Sequence, residues 1–306
     1  MSDETEQAVL TVLIGTRNRL TLLQQCLDAV RATVKVPCQV IVIDAGSTDG
    51  TLEYLNAQSD IRVVRDTEPI GQAPSLNRVL ARVATPYVCW LSDDNLVQPG
   101  ALDLACQLLD TIPPVGMVAL KVKDMQGPHS NLPYIGGIWP TGVLTCNQGV
   151  LRTELFRRLG YFDEQLRDYG IDADLTVRVL LAGYRVVMTK QTAICHYRNY
   201  EQFPGAIESA ERAHRQARAM TLYCDKYKDL IPRRRSELPR EFAARSAHTG
   251  LVYGLRLARK SGVRIESILG YTVKDWQNVL SGRYISKLDL WHYRKQPFYL
   301  VQEKRQ

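Results

Sequence analysis

Between residues 9 and 122, short apolar runs alternate with longer amphipathic stretches. The runs VLTVLI (9–14), QVIVI (39–43), IRVV (61–64), YVCWL (87–91) and GMVALKV (116–122) are β-rich and mostly apolar, and they predict buried strands. Between them Leu20, Leu23, Leu27 and Val30 recur at helical spacing, as do Leu76, Val79, Leu80 and Val83, and then Leu102, Leu104, Leu108 and Leu109. Strands apolar on both faces, separated by amphipathic helices, predict an α/β fold with a mostly parallel sheet covered on both sides. Ligands of such sheets sit beyond the carboxyl ends of the strands. The residues found there are Thr16, Arg17 and Asn18 after the first run, Asp44 after the second, and Asp93 and Asp94 after the fourth. Three polar groups are therefore expected along one edge.

From residue 128 to 200 the pattern loosens, with glycines at 136, 137, 142 and 149, a helix over 153–159, and then YFDEQLRDYGIDADLTVRVLLAGYRVVM. From about residue 201 onward no strand pattern is convincing. GAIESAERAHRQARAMTLYCDKYKDL reads as helix, IPRRRSELPR as a basic break, and EFAARSAHTGLVYGLRLARK as helix again. The expected division is a catalytic α/β domain over 1–205 and a helical region over 206–306.

Composition changes this picture little. With 306 residues, 45% hydrophobic and 23% charged, the chain has ample material for a core. No apolar run approaches the roughly 18 residues that span a bilayer. The opening MSDETEQAVL is acidic and lacks a secretion-signal layout. A cytoplasmic protein is expected, or one peripheral at the inner face of a membrane. The seven cysteines (26, 38, 89, 106, 146, 195 and 224) stand singly, so reduced thiols acting as small hydrophobes are expected, without a structural zinc site.

The net charge of +7 suits an acidic small molecule, an anionic membrane surface or nucleic acid. Arg233, Arg234 and Arg235 could meet anionic headgroups, and Arg245, Arg256, Arg259 and Lys260 share one helical face opposite Ala247, Leu251, Leu255 and Ala258. That layout suits peripheral membrane contact through basic C-terminal helices. Packing of the apolar stripe on the catalytic domain is the better-supported alternative, because the stripe holds two alanines and no Trp or Phe. Nucleic acid is not expected, since aromatics do not interleave with the basic residues.

Two stretches carry chemistry. In VIDAGSTDGTLEYL (42–55), Asp44 at a strand end before a Gly/Ser/Thr turn could accept hydrogen bonds from a base or ribose, while Ser47 or Thr48 caps the next helix and Asp49 complements its dipole. In VCWLSDDN (88–95), adjacent carboxylates after a buried strand suit a hard divalent cation that completes its shell with water or phosphate oxygens. The alternative for that pair is an Asx turn leading to a helix near Pro99.

These stretches, with two others, resemble family 2 glycosyltransferases of the GT-A fold over roughly residues 9–200. VLIGTRNR stands where that family has a strand and then Pro-Thr-Tyr-Asn-Arg. VIDAGSTDGT matches its Asp-Asp-Gly-Ser-Thr-Asp-Gly-Thr segment, and LSDDN its DxD-type metal motif. LGYFDEQLRDYGIDADLTVRVLLAGYRV matches the acceptor-side segment from Gly-x-Phe-Asp-Glu through Glu-Asp to Gly-Tyr. The resemblance implies that Thr16 and Asp44 hold the nucleoside, with Gly15, Arg17, Asn18 and Asn77 around it. It implies further that Asp93 meets ribose or metal, Asp94 holds a divalent metal (Mn2+ or Mg2+) bridging the diphosphate, and His196 reaches the metal. Asp172 would be the catalytic base. Ala45, Arg17 and Leu76 depart from the family pattern, so the nucleobase is left open, whereas Ile171 replaces the glutamate of the Glu-Asp pair and leaves Asp172 in place.

The implied activity is transfer of a sugar, with inversion, from a nucleoside diphosphate sugar donor to a hydroxyl on a saccharide or lipid-linked acceptor, in polysaccharide or glycolipid assembly. Asp172, heading a helix that runs to Ala182, is expected to be ionised because the helix N-terminus lowers its pKa. The alternatives are a sugar nucleotidyltransferase, suggested by the GTR at 15–17 but lacking its further glycines and Pro-Lys signature, and a non-catalytic sugar-nucleotide or membrane-binding module.

Overall fold

The computed structural model describes residues 7–126, 130, 134–135, 139–141, 143, 146–197, 209–230 and 299–301. The basic positions 233–235, 245, 256, 259 and 260, and most of the expected helical region, lie outside the described residues.

The chain opens with β1 (Leu10–Thr16), α1 (Leu20–Thr33), β2 (Cys38–Asp44), α2 (Thr51–Asn56), β3 (Ile61–Arg65), α3 (Gln72–Leu80) and β4 (Tyr87–Ser92). A short strand β5 (Asn95–Val97), α4 (Ala101–Thr111), β6 (Val115–Leu120) and β7 (Val122–Asp124) follow. Next come β8 (Gln148–Arg152), α5 (Thr153–Arg158), a 3-10 turn at Glu164–Leu166, α6 (Ile171–Leu181), β9 (Arg185–Met188), β10 (Ile194–His196), α7 (Ser209–Lys226) and β11 (Tyr299–Val301).

The main sheet has the order β11-β9-β6-β8-β4-β1-β2-β3. Its neighbours run parallel except β8, which is antiparallel to both β4 and β6. The α/β expectation holds, as does the mostly parallel sheet. The strand at residues 299–301 corrects the expectation of no strand beyond residue 201: three residues are too short for a periodicity signal, and only pairing with β9 makes them a strand. A second sheet, β5-β10-β7, stands beside the first.

The period-2 alternation of β1 explains the layering. Leu10, Val12 and Ile14 pack with Leu23, Leu27 and Val30 of α1 and with Leu102, Ala105 and Leu109 of α4. Leu13, with Ile41 and Ile43 of β2, faces Leu76 and Leu80 of α3, Phe156 of α5 and Leu175 of α6. Each apolar side chain among Leu10–Ile14 therefore meets one helical layer or the other. The carboxyl ends of β1, β2 and β4 come together in register, with Gly15 beside Ser92 and Thr16 beside Asp44.

All seven cysteines are free thiols, four of them buried. Helix α7, at the start of the region expected to be an appendage, packs Tyr223 and Tyr227 against Ala173 and Val177 of α6. Among the described residues, no helix is long and apolar enough to cross a membrane.

Candidate active site

β1 ends at Thr16, and the chain turns through Asn18 in the left-handed region (φ 52°) before entering α1. Gly15 therefore lies inside the strand, and the turn follows it. A Cβ built on it meets nothing within 4 Å, so the space above the sheet is open there. Arg17 is exposed.

The turn is held from the neighbouring loop. Asn18 donates its amide N–H to Ser47 Oγ (2.9 Å), and its Oδ1 accepts from the Thr48 amide (2.7 Å). Asp44 is fully buried, and both its oxygens accept from the Ser47 amide at 3.2 Å. Asp49, not Ser47 or Thr48, serves the helix start: its Oδ1 accepts from the Thr51 amide (3.2 Å) and hydroxyl (2.5 Å), and its Oδ2 from the Leu20 amide (3.2 Å). One carboxylate thereby anchors two helices.

At the end of β4, Asp93 and Asp94 are both buried, and bare carboxylates there would be costly. Asp93 Oδ2 accepts from Thr16 Oγ1 (2.8 Å) and Oδ1 from Arg19 Nη1 (2.9 Å). The same Arg19 nitrogen lies 3.3 Å from Asp94 Oδ2, and so does His196 Nε2. Asn95 closes the turn, accepting from the Ser92 amide (3.0 Å) and donating to Asp94 Oδ1 (3.3 Å).

On the far side of His196, Nδ1 lies 2.6 Å from Asp124 Oδ1. The backbone secures this row, because the Tyr197 amide donates to the Asp94 carbonyl and the Met125 amide to the His196 carbonyl. The sequence reading missed Arg19 and Asp124. Asp124, like Asp44, is an acid at the last position of a strand, although β7 is only Val-Lys-Asp and shows no apolar run of its own.

These contacts set the charge states. Burial pushes Asp93 up to about 6, although Arg19 opposes the shift. Burial also acts to raise Asp94, but the hydrogen bond and charge of His196, with Arg19, hold it below the usual carboxylate range. For His196 burial works downward, and its bonds to Asp124 and Asp94 outweigh this to reach about 9.

Asp172 sits in the first turn of α6, which starts after Gly170 in the left-handed region (φ 77°). A Cβ at Gly170 would lie 2.7 Å from the Trp139 ring, so only glycine fits both the backbone and this contact. Asp172 is half-buried and its charge acts on Tyr134 and Cys146. Cys146 lies just before β8, whose antiparallel start adjoins the carboxyl ends of β4 and β6. Asp172 therefore lies within electrostatic reach of Cys146, the residue that leads into that end of β8.

Burial pushes its carboxyl up to about 7. This corrects the expected lowering by the helix N-terminus, because lost hydration outweighs the helix dipole at this position. Asp174, two residues on, is bound by Arg178 Nε (2.7 Å), Tyr227 Oη (2.7 Å) and Lys226 Nζ (2.6 Å), which makes it the anchor of α7.

Asn77 stands apart from the cluster. Its Nδ2 donates to the Phe162 carbonyl (2.9 Å) and to Glu164 Oε1 (3.0 Å), and its Oδ1 accepts from the Phe162 amide (2.9 Å). With its donors and acceptor engaged by the chain itself, it braces α3 to the loop before α6 in place of the expected nucleotide contact. Asp66, at the end of β3, is engaged too: it accepts from Ser75 Oγ (2.6 Å) and pairs with Arg78.

Asp94 and His196 bring a carboxylate oxygen and an imidazole nitrogen within 3.3 Å of each other, donor types that fit a divalent cation of the Mn2+ or Mg2+ kind. Among the described residues no group of three or more His, Cys, Asp or Glu side chains is placed to hold a metal ion, so these two would need oxygens from a ligand or water to complete a shell. Asp93, with both oxygens committed to Thr16 and Arg19, serves as a support beside that pair.

Comparison with known proteins agrees with this layout. Residues 11–149 match the sequence model of glycosyl transferase family 2. The O-antigen biosynthesis protein RfbC of Myxococcus xanthus is 26% identical over 233 residues, which cover 66% of this chain and 18% of that protein. The succinoglycan biosynthesis protein ExoA of Rhizobium meliloti is 26% identical over 216 residues, covering 64% of this chain and 65% of its own. The chain thus spans less than two thirds of the length of either relative.

Among solved structures, the mannosyltransferase PcManGT from Pyrobaculum calidifontis, in complex with GDP-Man and Mn2+, superposes with a TM-score of 0.54 at 20% identity, covering 91% of this chain and 86% of that one. GalNAc-T7 with UDP, GalNAc and Mn2+ gives 0.58 at 14% identity, over 72% of this chain and 50% of that one. Both likenesses concern the fold, which is of the GT-A type.

Proposed function

We propose that this chain is an inverting glycosyltransferase of the family 2 type, which moves a sugar from a nucleoside diphosphate donor to a hydroxyl group in the assembly of a polysaccharide. The observation that carries the reading is the row Asp93–Asp94–His196 beyond the carboxyl end of β4, and Asp172 in the first turn of α6 is assigned the base within it. The family match over 11–149 and the names of the polysaccharide-biosynthesis relatives support it.

In this reading the donor lies over the open floor at Gly15, its nucleoside toward Thr16 and the Ser47–Asp44 turn and its diphosphate toward Asp94. Thr16 and Arg19 keep the Asp93–Asp94 turn rigid, and exposed Arg17 adds positive charge at the rim. Asp94 and His196 would hold Mn2+ or Mg2+, whose charge neutralises the departing diphosphate.

Asp172 receives the proton of the acceptor hydroxyl as its oxygen attacks the anomeric carbon. The bond from that carbon to the diphosphate oxygen breaks, and its electron pair leaves with the nucleoside diphosphate. Attack from the face opposite the leaving group inverts the anomeric centre, through an oxocarbenium-like state. A carboxyl near 7 is well matched to this task, because a base works best when its pKa lies close to the working pH.

The test is release of nucleoside diphosphate from UDP- and GDP-sugars with Mn2+, followed in the presence of saccharide acceptors. Transfer that collapses in Asp94→Ala and on chelation, and falls at least about 100-fold in Asp172→Asn, is expected. Pyrophosphate formed with a nucleoside triphosphate would identify a nucleotidyltransferase instead. Unchanged turnover in Asp172→Asn would remove the base from this scheme.

A further inference from the structure

The small sheet does something the strands of the main sheet do not. Its register sets Asn95 of β5, His196 of β10 and Asp124 of β7 directly across from one another. The imidazole consequently has a carboxylate at each nitrogen, Asp94 Oδ2 at 3.3 Å from Nε2 and Asp124 Oδ1 at 2.6 Å from Nδ1. Asp124 is fully buried, and a charge that deep is retained only with strong partners. Main-chain bonds on both sides, Met125 N–H to the His196 carbonyl and Tyr197 N–H to the Asp94 carbonyl, fix the spacing of the row.

We propose that Asp124 is a positioning residue for the divalent cation: it holds the Nδ1–H of His196, so that Nε2, beside Asp94 Oδ2, is the nitrogen left to the ion once the ion displaces its proton. This rests on the reading of His196 as a ligand given above. An imidazole ligates through its unprotonated nitrogen, and which nitrogen that is depends on the bond made by the other. A carboxylate on the Nδ1–H selects the tautomer, stops the ring from turning and makes Nε2 a better donor. Asp124 itself never touches the cation.

Calorimetric titration of the full-length chain with Mn2+ alone, paired with electron spin echo spectroscopy of nitrogen coupled to the bound ion, tests the idea. Asp124→Asn keeps the shape and an acceptor, and is expected to weaken Mn2+ binding about 10-fold, with Asp124→Ala nearer 100-fold. The nitrogen coupling should be present in the wild type, absent in His196→Ala and altered in Asp124→Asn, with partial recovery of affinity in Asp124→Glu. A merely structural role would shift the melting temperature of the Asp124 variants while leaving affinity and coupling of the folded protein intact, and that result overturns the proposal. If His196→Ala binds Mn2+ as tightly as the wild type and the wild type shows no nitrogen coupling, the ligand reading of His196 fails instead. The two failures are thereby told apart.

Discussion

At the scale of single residues, what distinguishes this site is that its polar side chains are committed to one another before any ligand is considered. Asn77 shows the consequence. Its carboxamide makes three bonds across more than eighty residues of sequence, to Phe162 and Glu164. Asn77→Ala should lower stability by about 1–3 kcal/mol, because the Phe162 amide and carbonyl lose their partner. Thermal unfolding measures this, and the KM for donor should stay within about two-fold of the wild type if the residue only braces. A large rise in KM with unchanged stability would restore the nucleotide contact expected from the sequence.

The elements add a second level of commitment. Helix α6 supplies both Asp172, half-buried in its first turn, and Asp174, which is fully buried. Arg178 lies one helical turn beyond Asp174, and α7 brings Lys226 and Tyr227 onto the same carboxylate. Breaking such a pair leaves cations without their counter-charge. Asp174→Ala is expected to cost about 3–5 kcal/mol, discounted toward the lower figure because Lys226 is partly exposed. Hydrogen exchange should locate the change, with amides of 209–226 losing protection before those of β1 and β4. Uniform loss across the sheet would mean that Asp174 anchors more than α7.

At the scale of the whole molecule, burial sets the working pH. Asp172 is raised to about 7 by desolvation, against the main-chain hydrogen bonds at the start of its own helix. Transfer rate should therefore climb with pH up to about 7 and flatten beyond it. The sign for stability is opposite. The unfolded chain ionises this carboxyl near the ordinary value of about 3.9, so the fold loses stability as pH rises from there toward the folded-state value. Asp172→Asn should remove both effects, giving a protein that melts higher than the wild type at pH 8 and transfers far less. A pH–rate profile that is level between 5 and 8 would contradict the assignment.

Local pattern alone determined the strands, most helices, the mostly parallel sheet and the edge at which Thr16, Asp44, Asp93 and Asp94 gather, because burial on one or both faces writes a period into the sequence. It also gave the reduced state of the cysteines. It did not give Arg19 its place between two carboxylates, or put Asp124 behind His196, or turn Asn77 toward Phe162, since each of these joins residues some 70 to 90 positions apart. The pKa of Asp172 was misjudged for the same reason: a helix N-terminus is visible in sequence, whereas the depth to which the rest of the chain buries it is not. Periodicity records which way a side chain faces; only the packed chain decides what it meets there.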